Sequence, residues 1–211
     1  MKTNTLKSNR LLILWIYIVA FFLMAFSFQA NSADKGDRSD KKVAKKNADV
    51  VVIDTSMGKI TVKLNAEKAP ISVENFLKYV DNKHYNGTVF HRVMSDFMIQ
   101  GGGHLPDMKE KTAAYPAIKN EATNGLSNAR GTLAMARMNE KDSATAQFFI
   151  NVVDNQRLDH KSESQYGYAV FGEVTSGMDV VDKIRAVDVA TKGEHENVPV
   201  KPILINSISR K

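Results

Sequence analysis

The sequence predicts a mainly β domain, an antiparallel barrel or sandwich with two helices at its ends. From Val50 onward the chain breaks into short β-branched or alternating runs separated by glycine and polar loops. Only two stretches repeat their apolar residues at helical spacing. No strand–helix–strand alternation recurs, which disfavours a doubly wound sheet.

The elements follow in order. Val50–Ile53 is a β-branched run, and Ile60, Val62 and Leu64 alternate with Lys59, Thr61 and Lys63 across a turn at Met57-Gly58. That pattern is a β-hairpin. Pro70 stops the extended run, and Ser72 is placed to cap a helix whose Val73, Phe76, Leu77 and Val80 share one face. Strand-like runs come next at Thr88–Val93, Met98–Gln100, Thr132–Ala136, Gln147–Val152 and Ala169–Val174. A second helix is marked by Val180, Val181, Ile184 and Val187 after Gly177, and a last strand by Ile203, Ile205 and Ile208 after Pro202. The chain has no internal repeat.

Ahead of this domain lie two segments of different character. Residues 1–33 read as a signal peptide or signal anchor: Lys2, Lys7 and Arg10 precede the uncharged run Leu11 to Phe28, followed by small residues such as Ala30 and Ser32. As a helix, that run spans roughly 27 Å against a hydrocarbon core of ~30 Å, so an uncleaved anchor is an alternative to cleavage. Positive charge ahead of it directs the rest of the chain out of the cytoplasm. Residues 34–49 carry mixed charge and one large apolar residue, Val43, and read as a flexible linker.

Charge narrows the function classes. The net charge of +6 first suggests a nucleic-acid partner. Five of those charges belong to residues 1–49, which leaves 20 basic against 19 acidic residues in 50–211. The globular part is nearly neutral, so no nucleic-acid surface is expected, and the membrane is met only through the N-terminal run. Cysteine is absent, which removes disulfides, thiolate metal sites and thiol catalysis.

Three segments concentrate the chemistry: Phe90-His91-Arg92-Val93-Met94-Ser95-Asp96-Phe97-Met98-Ile99-Gln100-Gly101-Gly102, then Gly131–Arg137 with Gln147-Phe148-Phe149-Ile150, then Tyr166–Val174. Taken alone, Phe97, Met98 and Phe149 read as ordinary core residues. Arg92 does not, because an arginine in an apolar run needs a partner or a surface. The side-chain carbonyl of Gln100 is the expected partner for its guanidinium. Hydrolysis through His91, His104 or His160 lacks any supporting motif, and Gly101–Gly103 lacks the lysine that a phosphate loop requires, so a turn or bulge is the simpler reading.

Together, FHRVMSDFMIQGG, GTLAMAR, QFFIN and YAVFGEV resemble the cyclophilin family of peptidyl-prolyl cis/trans isomerases, in order and spacing, over essentially all of residues 50–211. The ending NVPVKPILINSI is similar to that of exported cyclophilins of Gram-negative bacteria, which implies a periplasmic location. The resemblance implies a closed antiparallel eight-stranded β-barrel capped by two α-helices. It also implies a monomer that needs no metal or cofactor and acts on proline-containing unfolded or partly folded polypeptides. By the same resemblance Arg92 is the catalytic arginine, with Gln100 beside it. Phe97, Met98, Phe149 and Leu158 hold the proline ring, Gln147 borders it, and Ala136-Arg137 bonds the peptide backbone.

The sequence departs from well-known eukaryotic members in carrying Arg137 for asparagine, Arg157 for tryptophan and Tyr168 for the pocket histidine. The last two imply weak cyclosporin binding. A binding module that holds proline segments without turnover is the alternative. Retention of Arg92 with the whole pocket favours catalysis.

Overall fold

The computed structural model describes residues 49–211. The apolar run Leu11 to Phe28 and nearly all of the linker lie outside these residues. Eight strands close into an antiparallel barrel. They are β1 (Val50–Thr55), β2 (Gly58–Leu64), β3 (Thr88–Met94), β4 (Met98–Gly101), β5 (Thr132–Met135), β6 (Phe148–Asn151), β7 (Val170–Ser176) and β10 (Leu204–Arg210), in the order β1-β10-β3-β4-β6-β5-β7-β2. All eight correspond to runs legible in the sequence. A two-stranded sheet of β8 (Val189–Lys192) and β9 (His195–Pro199) is not foreshadowed there. Every residue of β8 is exposed, so it carries none of the apolar alternation that reveals a strand.

The period of two along each strand sends Val51, Ile53, Ile60, Val62, Ile99, Leu133, Phe148 and Ile150 into one interior cluster. Helix α1 (Pro70–Asp81) drives Phe76 into it, where the ring meets Phe148 edge-on at 5.6 Å and Tyr85 and Phe171 each at 5.2 Å. Tyr85 is also fully buried, and its hydroxyl donates to the Ala146 carbonyl at 2.8 Å. Helix α2 (Met178–Arg185) adds Val180, Val181 and Ile184 to the same cluster. Gly177 ahead of it has φ 92° and packs on the Lys59 carbonyl so closely that any β-carbon would overlap it. Val187, expected within this helix, lies just beyond its end and packs against the cluster from outside.

The start of α1 differs from the expectation in a way that reaches the site. Pro70 does not precede the helix but is its first residue, where a missing N–H costs nothing. Ser72 is no cap. The cap comes from Glu121, about fifty residues downstream, whose carboxylate accepts from Ile71 N at 3.0 Å, Ser72 N at 2.7 Å and Ser72 Oγ at 2.7 Å. A carboxylate there satisfies orphan amides and favours the positive end of the helix dipole. It also anchors the loop that carries Asn120, whose Nδ2 donates to the Gly167 carbonyl at 3.1 Å.

Candidate active site

The barrel turns one face of each strand outward, and on four adjacent strands those faces line up in one row. Arg92 on β3 stands opposite Gln100 on β4, Gln100 opposite Phe149 on β6, and Phe149 opposite Ala134 on β5. One lateral row therefore runs from a guanidinium through an amide to an apolar surface. Arg92 reaches the row through a bulge. Phe90 pairs with Gly101 and Arg92 with Gln100, so His91 is an extra residue in β3. Strict alternation could not turn both Phe90 and Val93 inward, and the extra residue resolves the conflict while aiming Arg92 outward.

Met98, Ala134, Phe149 and Val170 form a second buried apolar cluster, separate from the barrel interior, with Phe97, Ala136, Leu158 and Tyr168 half-buried around it. The Phe149 and Tyr168 rings meet edge-on at 5.7 Å. Two cations roof the rim, Arg157 lying 4.7 Å above the Phe97 ring and Arg137 4.5 Å above the Tyr168 ring. Arg137 also donates through Nε to the Gly167 carbonyl at 3.0 Å and through a terminal nitrogen to the Met138 carbonyl at 2.8 Å. The structure thus brings together all ten residues singled out from the sequence.

Two details correct the expected contacts. Gln100 does not hold Arg92. Its Nε2 donates to Gln147 Oε1 at 2.9 Å, and the Arg92 guanidinium has no hydrogen bond or ion pair among the described residues. Ala136 spends its N–H on the Gln147 carbonyl at 3.0 Å, whereas the N–H and carbonyl of Arg137 are unbonded among the described residues. Gly103 leaves room for the glutamine pair, because any β-carbon there would overlap the Gln147 side chain. Gly101–Gly103 is therefore more than the turn that its sequence suggests, and the close approach at Gly103 is not visible from sequence alone.

Histidines are close by without belonging to the row. His91 is buried against His104, ring centroids 4.2 Å apart, and His104 meets His195 at 5.2 Å. Burial first, and then the neighbouring His104, push His91 down to about 3. At neutral pH it is an uncharged, buried ring next to Arg92.

An unpaired guanidinium beside an apolar patch can donate a hydrogen bond to a group whose ring the patch holds. No nucleophile or charged acid–base pair is needed for that chemistry. Residues 50–210 match the family described as "Cyclophilin type peptidyl-prolyl cis-trans isomerase/CLD". The chain is 57% identical over 157 residues to peptidyl-prolyl cis-trans isomerase A of Dickeya dadantii (strain 3937), covering 74% of this chain and 82% of that protein. It is 53% identical over 162 residues to peptidyl-prolyl cis-trans isomerase B of Escherichia coli (strain K12), covering 76% and 98%. In fold it is similar to a Cryptosporidium parvum cyclophilin type peptidyl-prolyl cis-trans isomerase crystallised in the presence of the dipeptide Ala-Pro, with TM-score 0.65 at 24% identity, covering 77% and 98%. On these grounds the chain belongs to the cyclophilin-type peptidyl-prolyl cis/trans isomerases and accelerates rotation about X-Pro peptide bonds in proline-containing peptides.

Proposed function

We propose that this isomerase works through Arg92 on the outer face of the barrel, with the prolyl ring seated on Phe97, Met98, Phe149 and Leu158. The observation that carries the reading is the uncommitted Arg92 guanidinium in register with Gln100 and Phe149. Amide resonance sets a barrier of ~18–20 kcal/mol, and an unaided X-Pro bond crosses it in tens to hundreds of seconds. A guanidinium donating to the prolyl nitrogen favours a pyramidal nitrogen and a single C–N bond. Both exist only in the twisted state, so the interaction lowers the barrier and not merely the ground state. The Gln100–Gln147 pair offers polar groups along the path of the rotating carbonyl. The unbonded N–H and carbonyl of Arg137 suit an extended peptide backbone, and Tyr168 edges the patch.

Exchange NMR on an Ala-Pro peptide tests the assignment. Replacing Arg92 by alanine removes the one donor aimed at the reacting amide, and the catalysed exchange rate should fall about 10²- to 10³-fold. An unchanged rate would remove Arg92 from the mechanism.

The isomerase works outside the cytoplasm, as a monomer that assists folding of exported proteins. Support comes from the sequence alone: three positive charges precede the uncharged run Leu11 to Phe28, and a mixed-charge linker follows. The mass of the N-terminus in the periplasmic fraction distinguishes a cleaved signal from a membrane anchor. Full-length chain confined to the cytoplasm would contradict export.

A further inference from the structure

The patch rests on a polar chain that the isomerase mechanism does not use. Asn128 and Asn151 are fully buried and Asn155 nearly so. Asn155 Nδ2 donates to the Phe97 carbonyl and to Asn151 Oδ1, both at 2.8 Å. Asn151 Nδ2 in turn donates to Asn128 Oδ1 at 3.2 Å and to Thr132 Oγ1 at 2.9 Å. Asn128 Nδ2 donates to Asp159 Oδ1 at 3.0 Å and to the Tyr168 carbonyl at 3.2 Å. Asp159 closes the chain, accepting also from Asn128 N at 2.7 Å and Ser127 Oγ at 2.6 Å.

The ends of this chain are the two walls of the site. Phe97 leads into β4 and Tyr168 into β7, and these strands lie on either side of the β6-β5 pair that carries Phe149 and Ala134. Leu158 is tied in as well, its N–H donating to the Asn155 carbonyl at 2.8 Å and its carbonyl accepting from Tyr168 N at 2.9 Å. From Asn155 the donation runs in one sense, through Asn151 and Asn128 to Asp159, so each bond polarises the next, while the second N–H of Asn155 points back to the Phe97 carbonyl. A buried amide cannot drop its partner cheaply. Hence the spacing of the walls is fixed by the set rather than by any one member.

We propose that Asn128, Asn151 and Asn155 are positioning residues that hold Phe97 and Tyr168 at the separation a prolyl ring requires, and so set the affinity for X-Pro segments. The proposal rests on reading the patch as the proline site. It is tested on the whole chain with Asn155→Ala, which deletes a donor to Phe97 and touches neither Tyr168 nor substrate. The KM for an Ala-Pro peptide should rise about five- to tenfold, with the rate at saturation kept within about twofold. The Tyr168 ring resonances should shift although nothing near that ring has changed.

Asn128→Ala should do the same from the other end. The double variant should weaken affinity no more than the worse single one, because both break one chain. Val180→Ala in α2, which costs stability elsewhere, should move neither KM nor the Tyr168 signal. Independent, multiplying effects of the two asparagine variants would overturn the proposal, as would an unmoved Tyr168 signal or an equal response to Val180→Ala. Should Asn128→Ala fail to fold, Asn128→Ser takes its place in the same cycle and distinguishes the same two outcomes. Arg92→Ala in parallel should lower only the saturated rate. Full turnover in that variant would sink the site assignment, while the Tyr168 signal would still test the asparagine chain.

Discussion

Strands β4, β5 and β6 bury residues on both of their faces, and the two faces belong to separate clusters. Inward, Ile99, Leu133 and Ile150 belong to a cluster fed by every strand of the barrel and both helices. Outward, Met98, Ala134 and Phe149 are almost as completely buried, but they share their layer with Val170 and a half-exposed rim that includes Phe97 and Tyr168. The inner face is apolar throughout, whereas the row through the outer face ends in an amide and a guanidinium. Burial alone therefore does not separate structural from functional residues in this molecule. What separates them is whether the next position along the row is apolar or charged.

The sharpest contrast comes from a residue wholly on the inner side. Phe76→Ala empties the centre of an aromatic group and should cost about 3–5 kcal/mol of stability in urea unfolding, while the molecules that remain folded isomerise at the wild-type rate. A fall in rate per folded molecule would mean that the two faces are mechanically coupled.

A smaller effect tests His91, which the bulge places between the faces. An unfolded chain protonates this imidazole below about pH 6.5, whereas the folded one resists until about 3. Stability is then whole above the upper value and drains away between the two as pH falls. His104 is also held low, by burial and by His195, and adds in the same sense. His91→Phe keeps a ring in the stack without the proton, so its unfolding free energy should decline less between pH 7 and pH 4 than that of the wild type. Parallel declines would show that the acid sensitivity lies elsewhere.

The smallest effect lies on the outer side. Gly103→Ala displaces Gln147 and breaks its bond with Gln100. Losing one such bond corresponds to about a two- to tenfold slower isomerisation, with the unfolding midpoint nearly unchanged. A variant that instead melted early at full activity would make Gly103 a purely structural glycine.

These contrasts also explain what the sequence reveals and what it hides. The strands are legible because alternation is local, and Arg92 stands out because a charge in an apolar run is locally anomalous. The Glu121 cap is not legible, since the helix start and its acceptor are about fifty residues apart and meet only in the fold. Gln147 as the partner of Gln100 is hidden for the same reason, forty-seven positions away. Asn151 does carry a local signal, being a polar residue directly after Phe148-Phe149-Ile150 in a strand with no exposed position. Asn128 and Asn155 look like loop residues because polar residues between strands usually are.

The bulge in β3 leaves Arg92 on the outer face of a closed barrel. A substrate that meets the outer face of the barrel does not have to be threaded into its interior. Only the few residues around the proline have to be extended and free, while the rest of the client can already be folded. Turnover on an accessible proline loop should accordingly be indifferent to the mass of the protein that carries it.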